Sequence, residues 1–386
     1  MIYMEHLERV LMAINLKEPD RVPIDLGGPI SGISKVAYDK LINYLGFKDI
    51  ESVIWDRMQG LVEIDERILN IFDIDFRHIH INAPTKKDEN YKEINENCYI
   101  DEWGIMHKKQ FHGYYYEIIE QYSPLYNAKN IEDIENYKGA VPHSDRFKNL
   151  YKKAKEYSEN GFAVTADAFT GGILELAVWL RGFNKFYRDI AMNIDFVNAL
   201  LNKTLELHKS FWKEYLNEVG DHINIVLYGD DYGHQQGLLI SPKIWREYIK
   251  PKVKELISLI KNEAKHVKIQ LHSCGSIETI INDLIEIGFD IINPIQPRAK
   301  NMDSILLKEK YGKNVCFHGG IDIQYILPRG TQKEVENEVK NRIRALAPGG
   351  GYILAAAHNI QPDVPPENIV TMYKSALKYG KYPLTI

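Results

Sequence analysis

The chain has 386 residues, 45% of them hydrophobic and 26% charged, and a formal net charge of −5. These are ordinary globular values, and the acidic balance excludes a general nucleic-acid binder, which needs a basic face. No apolar run approaches the about 18 residues that span a bilayer, and Met1-Ile2-Tyr3-Met4-Glu5-His6 lacks the basic and apolar regions of a signal peptide. Cys98, Cys274 and Cys316 are odd in number and far apart, which predicts no disulfide framework and a soluble cytoplasmic protein in a reducing compartment.

Residues 1–20, with Leu7, Val10, Leu11 and Ile14 at helical spacing, predict an amphipathic N-terminal helix. The first strand is predicted at Val22–Leu26, carrying Asp25 into Gly27-Gly28-Pro29, and the second at Phe76–Ile81, carrying His78 and His80. Residues 88–122, rich in Tyr around Asp101-Glu102-Trp103-Gly104, read as a β-hairpin or small meander inserted after the second strand. Ala163–Ala166 is a third strand, running into Asp167, and Leu174 to Asn217 is long enough for two helices. Ile223–Tyr228 runs into Gly229-Asp230-Asp231. Ser241-Pro242 then caps a helix to about Ala264. Val267–Leu271 runs into His272-Ser273-Cys274-Gly275, and a helix over Ile277–Ile287 stops at Gly288. Ile291–Pro294, Val315–Phe317 and Tyr352–Ala357 complete the strands, bringing Asn293, His318 and His358 to their ends. Thr331-Gln-Lys-Glu opens a helix to Leu346 with a capping box, and Pro365-Pro366-Glu367 opens the last helix.

Eight strands alternating with helices predict an α/β chain folded as a (β/α)8 TIM barrel over 1–386, with an N-terminal helical extension and the β-rich insertion as additions. An open doubly wound sheet fits less well, because no glycine fingerprint follows an early strand. Active sites of such barrels are built at the carboxyl ends of the strands, where this chain places Asp, His and Cys repeatedly. Imidazole and thiolate are ligand types that zinc prefers, and His272 with Cys274 supplies both at one strand end. A third ligand would leave an open, catalytic position. Cys316, His318 and His358 are its candidates, and position slightly favours His358 because the end of the last strand reaches across the mouth. Cys316 sits inside its run and reads as a small core hydrophobe. Adjacent carboxylates at a strand end point to opposite sides, so one of Asp230 and Asp231 can face the mouth while the other caps a turn.

Several of these segments also resemble a known family. Glu18-Pro19-Asp20-Arg21-Val22-Pro23, Gly229-Asp230-Asp231, Ser241-Pro242, His272-Ser273-Cys274-Gly275, Gly319-Gly320-Ile321-Asp322 and Pro365-Pro366-Glu367-Asn368 resemble the uroporphyrinogen decarboxylase superfamily, on its branch of cobalamin-dependent methyltransferases. The resemblance spans nearly the whole chain and implies the same barrel. It implies a catalytic zinc held by His-x-Cys and a later Cys, activating a thiol such as coenzyme M to take a methyl group from a corrinoid protein. His272 and Cys274 match the first two ligands, and the later position is occupied by His358. A His2Cys set carries one negative charge fewer, which makes the zinc a stronger Lewis acid and turns the expectation of an acceptor toward tetrahydrofolate as well as a thiol. Asp230 or Asp231 would orient the metal shell or relay a proton, and His318 and Asp167 would contact substrate. The cobalamin (corrinoid) is expected on a partner protein, since no Asp-x-His-x-x-Gly sequence occurs in the chain. No nucleic-acid or membrane partner is expected, and a homodimer is compatible. The Arg-rich N-terminal segment of the decarboxylases has no counterpart: Asp25-Leu26-Gly27-Gly28 stands there and Arg57 is alone. A decarboxylase-like lyase, a metal-dependent hydrolase and a non-catalytic corrinoid-binding protein are the competing readings.

Overall fold

A computed structural model describes residues 4–85, 91–110 and 113–385. Seven strands form one parallel sheet: β2 (Phe76–Ile79), β3 (Ala163–Ala166), β4 (Ile225–Gly229), β5 (Lys268–His272), β6 (Ile291–Asn293), β7 (Cys316–His318) and β8 (Tyr352–Ile353), each paired with the next. The segment 22–26, here β1, closes the ring. Ile24 bridges Leu354 in parallel, the Asp25 N–H donates to Leu354 O at 3.0 Å, and on the other side the Asp75 N–H donates to Ile24 O at 3.0 Å. Seven of the eight strands expected from the sequence form the sheet, and the first, 22–26, joins it only through these bridge contacts, in a (β/α)8 barrel. No helix among the described residues is long and apolar enough to cross a membrane.

The period of two along each strand separates two environments. Val164, Ala166, Val226, Tyr228, Ile269, Leu271, Ile292 and Phe317 join the large core under the helices. Their neighbours point into the barrel. At the amino ends these inward residues are apolar: Phe76, Ala163, Ile225, Ile291, Cys316 and Ile353 form a second cluster with Val10 and Ile14 of α1 (His6–Ile14). That helix plugs the closed end of the barrel. Cys316 belongs to this plug, two residues below the end of β7, which agrees with its reading as a core residue.

Around the plug lies a buried charge network. Asp75, fully buried, accepts from Arg9 Nη1 at 2.7 Å, Arg21 Nη1 at 2.7 Å, His6 Nδ1 at 2.8 Å and the Ile24 N–H at 2.7 Å. Asp20 takes the other edge of Arg9 at 2.6 Å and 2.8 Å. The Glu18-to-Pro23 motif therefore ties the first strand to the helix beneath it.

Two local expectations change. The segment after β3 holds three helices, Ile173–Arg181, Phe183–Met192 and Ile194–Val219, because Gly182 and Asn193 interrupt what looked like two. The inserted segment forms a four-stranded antiparallel meander over Lys92–Asn95, Cys98–Ile100, Met106–Lys109 and Tyr116–Ile118; residues 88–90 and 111–112 of it lie outside the described residues. Trp103, 5% exposed, anchors the meander against Phe211, with ring centroids 5.6 Å apart, and the Tyr137 hydroxyl donates to Trp103 O at 2.7 Å.

Candidate metal centre

Parallel pairing sets His272 of β5 level with Gly229 and Asn293 of its neighbours, on the inward face at the mouth. Cys274 follows in the turn. Gly275 then adopts φ +83°, and a Cβ there would lie 2.5 Å from backbone atoms of Gly233 and His234, so only glycine lets this loop press onto the loop after β4. The Cys274 N–H donates to Asp231 Oδ1 at 2.7 Å. His358, after β8, reaches across the mouth: its ring centroid is 5.3 Å from that of His272.

One donor atom each from His272, Cys274 and His358 lies within 4.8 Å of the others. Cys274 Sγ is 3.6 Å from His272 Nε2. Tetrahedral zinc with ordinary Zn–N and Zn–S bonds would separate two such donors by about 3.6 Å, the distance found between His272 and Cys274. Burial and the neighbouring His272 push the His358 pKa down to about 3, which keeps its lone pair available at neutral pH. Burial, with Asp231 and Glu175 beside it, pushes the Cys274 thiol well up; it keeps its proton until a positive charge compensates. Cys274 and His358 also line a cavity of about 490 Å³ with Tyr114 and Tyr115 of the meander segment above them.

Beneath His272 runs a continuous buried hydrogen-bond chain. His272 Nδ1 donates to Asn293 Oδ1 at 2.5 Å, and Asn293 Nδ2 donates to His318 Nδ1 at 2.7 Å. His318 Nε2 then donates to Asp25 Oδ2 at 2.9 Å. Asp25 Oδ1 accepts from His78 Nε2 at 3.1 Å, and His78 Nδ1 donates to Asp167 Oδ1 at 2.8 Å. The directions follow from one constraint: Asn293 has one acceptor and one donor end, so fixing them leaves His272 Nε2 free as a ligand. For His78, burial works against the charge, but the Asp167 and Asp25 carboxylates outweigh it and raise the pKa to about 10. Burial would likewise raise the Asp25 pKa, yet His78 and His318 hold it below the ordinary carboxylate range. Gly28 (φ +62°) permits this packing, since a Cβ there would sit 2.4 Å from His78 Nδ1. The glycines after Asp25 thus serve the histidine and form no phosphate loop.

The adjacent aspartates divide as the alternation predicts. Asp230, fully buried, caps the helix Ile173–Arg181 by accepting the Leu174 and Glu175 N–H groups at 3.1 Å and 2.8 Å, and takes the Tyr228 hydroxyl at 2.7 Å. Its burial outweighs these bonds and lifts its pKa to about 6. Asp231 faces the mouth, with Oδ1 3.9 Å from His272 Nε2. His318 and Asp167, expected to contact substrate, are not among the residues that line the cavity. Both side chains are fully buried and belong to the chain under His272, which places them below the cavity. Glu175 escaped the sequence reading. It lies one helical turn past Gly171-Gly172, and burial with Asp231 and Asp230 nearby raises its carboxyl pKa well above the ordinary range. No spacing signal marks it, because its proximity to Asp231 comes from the helix after β3 meeting the loop after β4. Tyr115, whose hydroxyl pairs with Gln361, was legible only as part of a Tyr-rich insertion.

The profile of the family described as Uroporphyrinogen decarboxylase (URO-D) matches residues 104–379. The chain belongs to this family. Among its curated relatives, a uroporphyrinogen decarboxylase of Legionella pneumophila is 22% identical over 54% of this chain and 56% of its own length. One from Aliarcobacter butzleri is 23% identical over 55% of this chain and 59% of its own length. The chain therefore spans little more than half the length of the curated relatives it matches. Among solved structures, a methyltransferase from Methanosarcina mazei superposes with a TM-score of 0.67 at 16% identity, over 98% of this chain and 99% of that one. That likeness shows a shared fold over the full length.

Proposed function

We propose that this family member is a zinc-dependent methyltransferase. It would move a methyl group between a corrinoid, carried as methylcobalamin by a partner protein, and a small acceptor, a thiol or tetrahydrofolate. One observation carries the reading: His272, Cys274 and His358 converge at the mouth of the barrel, and Cys274 and His358 line a cavity that would leave a fourth position open. Zinc supplies Lewis acidity in such a setting when bound. The chain's own groups prepare the site. Asn293 fixes the His272 tautomer so that Nε2 faces Cys274. Asp231 holds the Cys274 backbone in place. Glu175, its carboxyl pKa raised by burial and by Asp231 and Asp230 nearby, would serve as a proton donor to a leaving or entering group at the mouth. The full-length structural neighbour named a methyltransferase supports the same class.

Decarboxylation is the second reading, favoured by the names of the curated relatives. A substrate bearing many carboxylates needs several cations, whereas no Lys or Arg is among the described residues lining the cavity.

Zinc content and turnover separate the readings. Protein purified without chelator should hold about one zinc, lost to background in Cys274→Ala. Zinc-loaded protein should transfer the methyl group of methylcobalamin to 2-mercaptoethanol or tetrahydrofolate, releasing cob(I)alamin. Zinc-free wild type, or decarboxylation of uroporphyrinogen without methyl transfer, would overturn the proposal.

A further inference from the structure

We infer that the cavity above the three donors selects a small neutral or positively charged molecule and turns away one with a sulfonate, carboxylate or phosphate tail. The inference rests on the metal reading above and narrows its substrate class. The cavity, about 490 Å³, is of a size for a small ligand. Its wall carries two carboxylates, Asp322 and Asp363, and no Lys or Arg among the described lining residues.

Arg298 pairs with one of these carboxylates. Arg298 Nε donates to Asp322 Oδ2 at 2.6 Å, and its guanidinium lies 5.1 Å from the Tyr325 ring centroid. Asp322 Oδ1 is in turn filled by the Gln324 and Tyr325 N–H groups at 2.7 Å and 3.2 Å. Asp363 is exposed and makes no ion pair among the described residues. Below, Asp231 adds a third carboxylate at the floor, bonded to the Cys274 N–H. An anionic tail entering here would meet the carboxylates of Asp363 and Asp231, with Asp322 paired to Arg298, and no Lys or Arg among the described lining residues.

The remaining wall suits a neutral or cationic guest. Tyr114 and Tyr115 are among the cavity's lining residues, and aromatic rings attract a cation and pack against apolar groups. Gln296 is held by the Gly275 N–H at 2.7 Å, and Gln361 donates to Asn359 O at 2.8 Å. These amides are polar without charge, and both are anchored. The glutamate tail of tetrahydrofolate would have to stay outside this cavity.

Cobalt(II)-substituted protein tests the idea without turnover, because thiolate binding to cobalt produces a charge-transfer absorbance. Three thiols on the same two-carbon spacer differ in the charge of the tail: (2-mercaptoethyl)trimethylammonium, 2-mercaptoethanol and 2-mercaptoethanesulfonate. The first two should bind at least about tenfold more tightly than the sulfonate, the scale of one unit charge acting across partly wet protein. Asp363→Asn should remove the advantage of the ammonium over the alcohol. Gln324→Lys, which adds a cation to an exposed wall position, should raise sulfonate affinity. Cobalt-loaded protein that binds the sulfonate as tightly as the alcohol overturns this inference alone. Protein that takes up no cobalt overturns the metal reading and this inference with it.

Discussion

The two ends of the barrel both bury polar groups, and they do so by opposite rules. At the closed end, formal charges of opposite sign are locked together: Asp75 and Asp20 divide the edges of Arg9, and Asp75 with Asp73 holds Arg21. At the mouth, His272, Cys274 and His358 bring one potential ligand atom each within 4.8 Å of the others, with no formal counter-charge between them. The first arrangement satisfies itself. The second has the donor set that the proposed zinc would complete. Burial of polar atoms therefore does not by itself mark a site; convergence of donors beside an open cavity does.

Three experiments can break or sharpen this division. The largest effect belongs to the closed end. Asp75→Ala leaves Arg9 and Arg21 short of a partner and should cost about 3–5 kcal/mol, read as a fall in the urea midpoint. The folded fraction should bind zinc as wild type does; a parallel loss of zinc affinity would show that the two ends are one unit. Next comes Asn293→Leu, which removes the hydrogen bond that orients His272. Zinc affinity should fall by about 10–100-fold, measured by chelator competition, while the protein stays folded.

The gentlest probe is pH. His78 has a folded pKa of about 10, above the ordinary histidine value of about 6.5. The stability it contributes is complete below the ordinary value and is lost as pH rises through the folded one. Urea midpoints should decline between those limits, and His78→Gln should flatten the decline. A wild-type midpoint unchanged over that window would mean that the ring stays neutral between Asp25 and Asp167.

Much of this was legible before any fold was drawn. The capping box at Thr331 and Glu334 forms as its spacing predicts, and Ser241 caps its helix through the Ile244 N–H. His272 and Cys274 were recognisable because their two-residue spacing survives in three dimensions: one ends the strand and the other turns back over it. Choosing among Cys316, His318 and His358 was harder. All three lie near strand ends, and the sequence carries no measure of depth along the barrel axis. The structure places Cys316 in the plug and His318 in the layer below the mouth, with His358 alone joining the donors.

The sequence by itself determined the strand count, the alternation that separates barrel interior from helix-covered exterior, and the first two donors of the candidate site, because each is a local periodicity or a short spacing. Only the tertiary structure decided which histidine completes the set and that Asn293, His318, Asp25, His78 and Asp167 act through one another. It also decided that Glu175 and Tyr115 stand at the mouth. Those relations join residues from different strands and from the inserted meander, and closure of the barrel brings them within hydrogen-bonding reach.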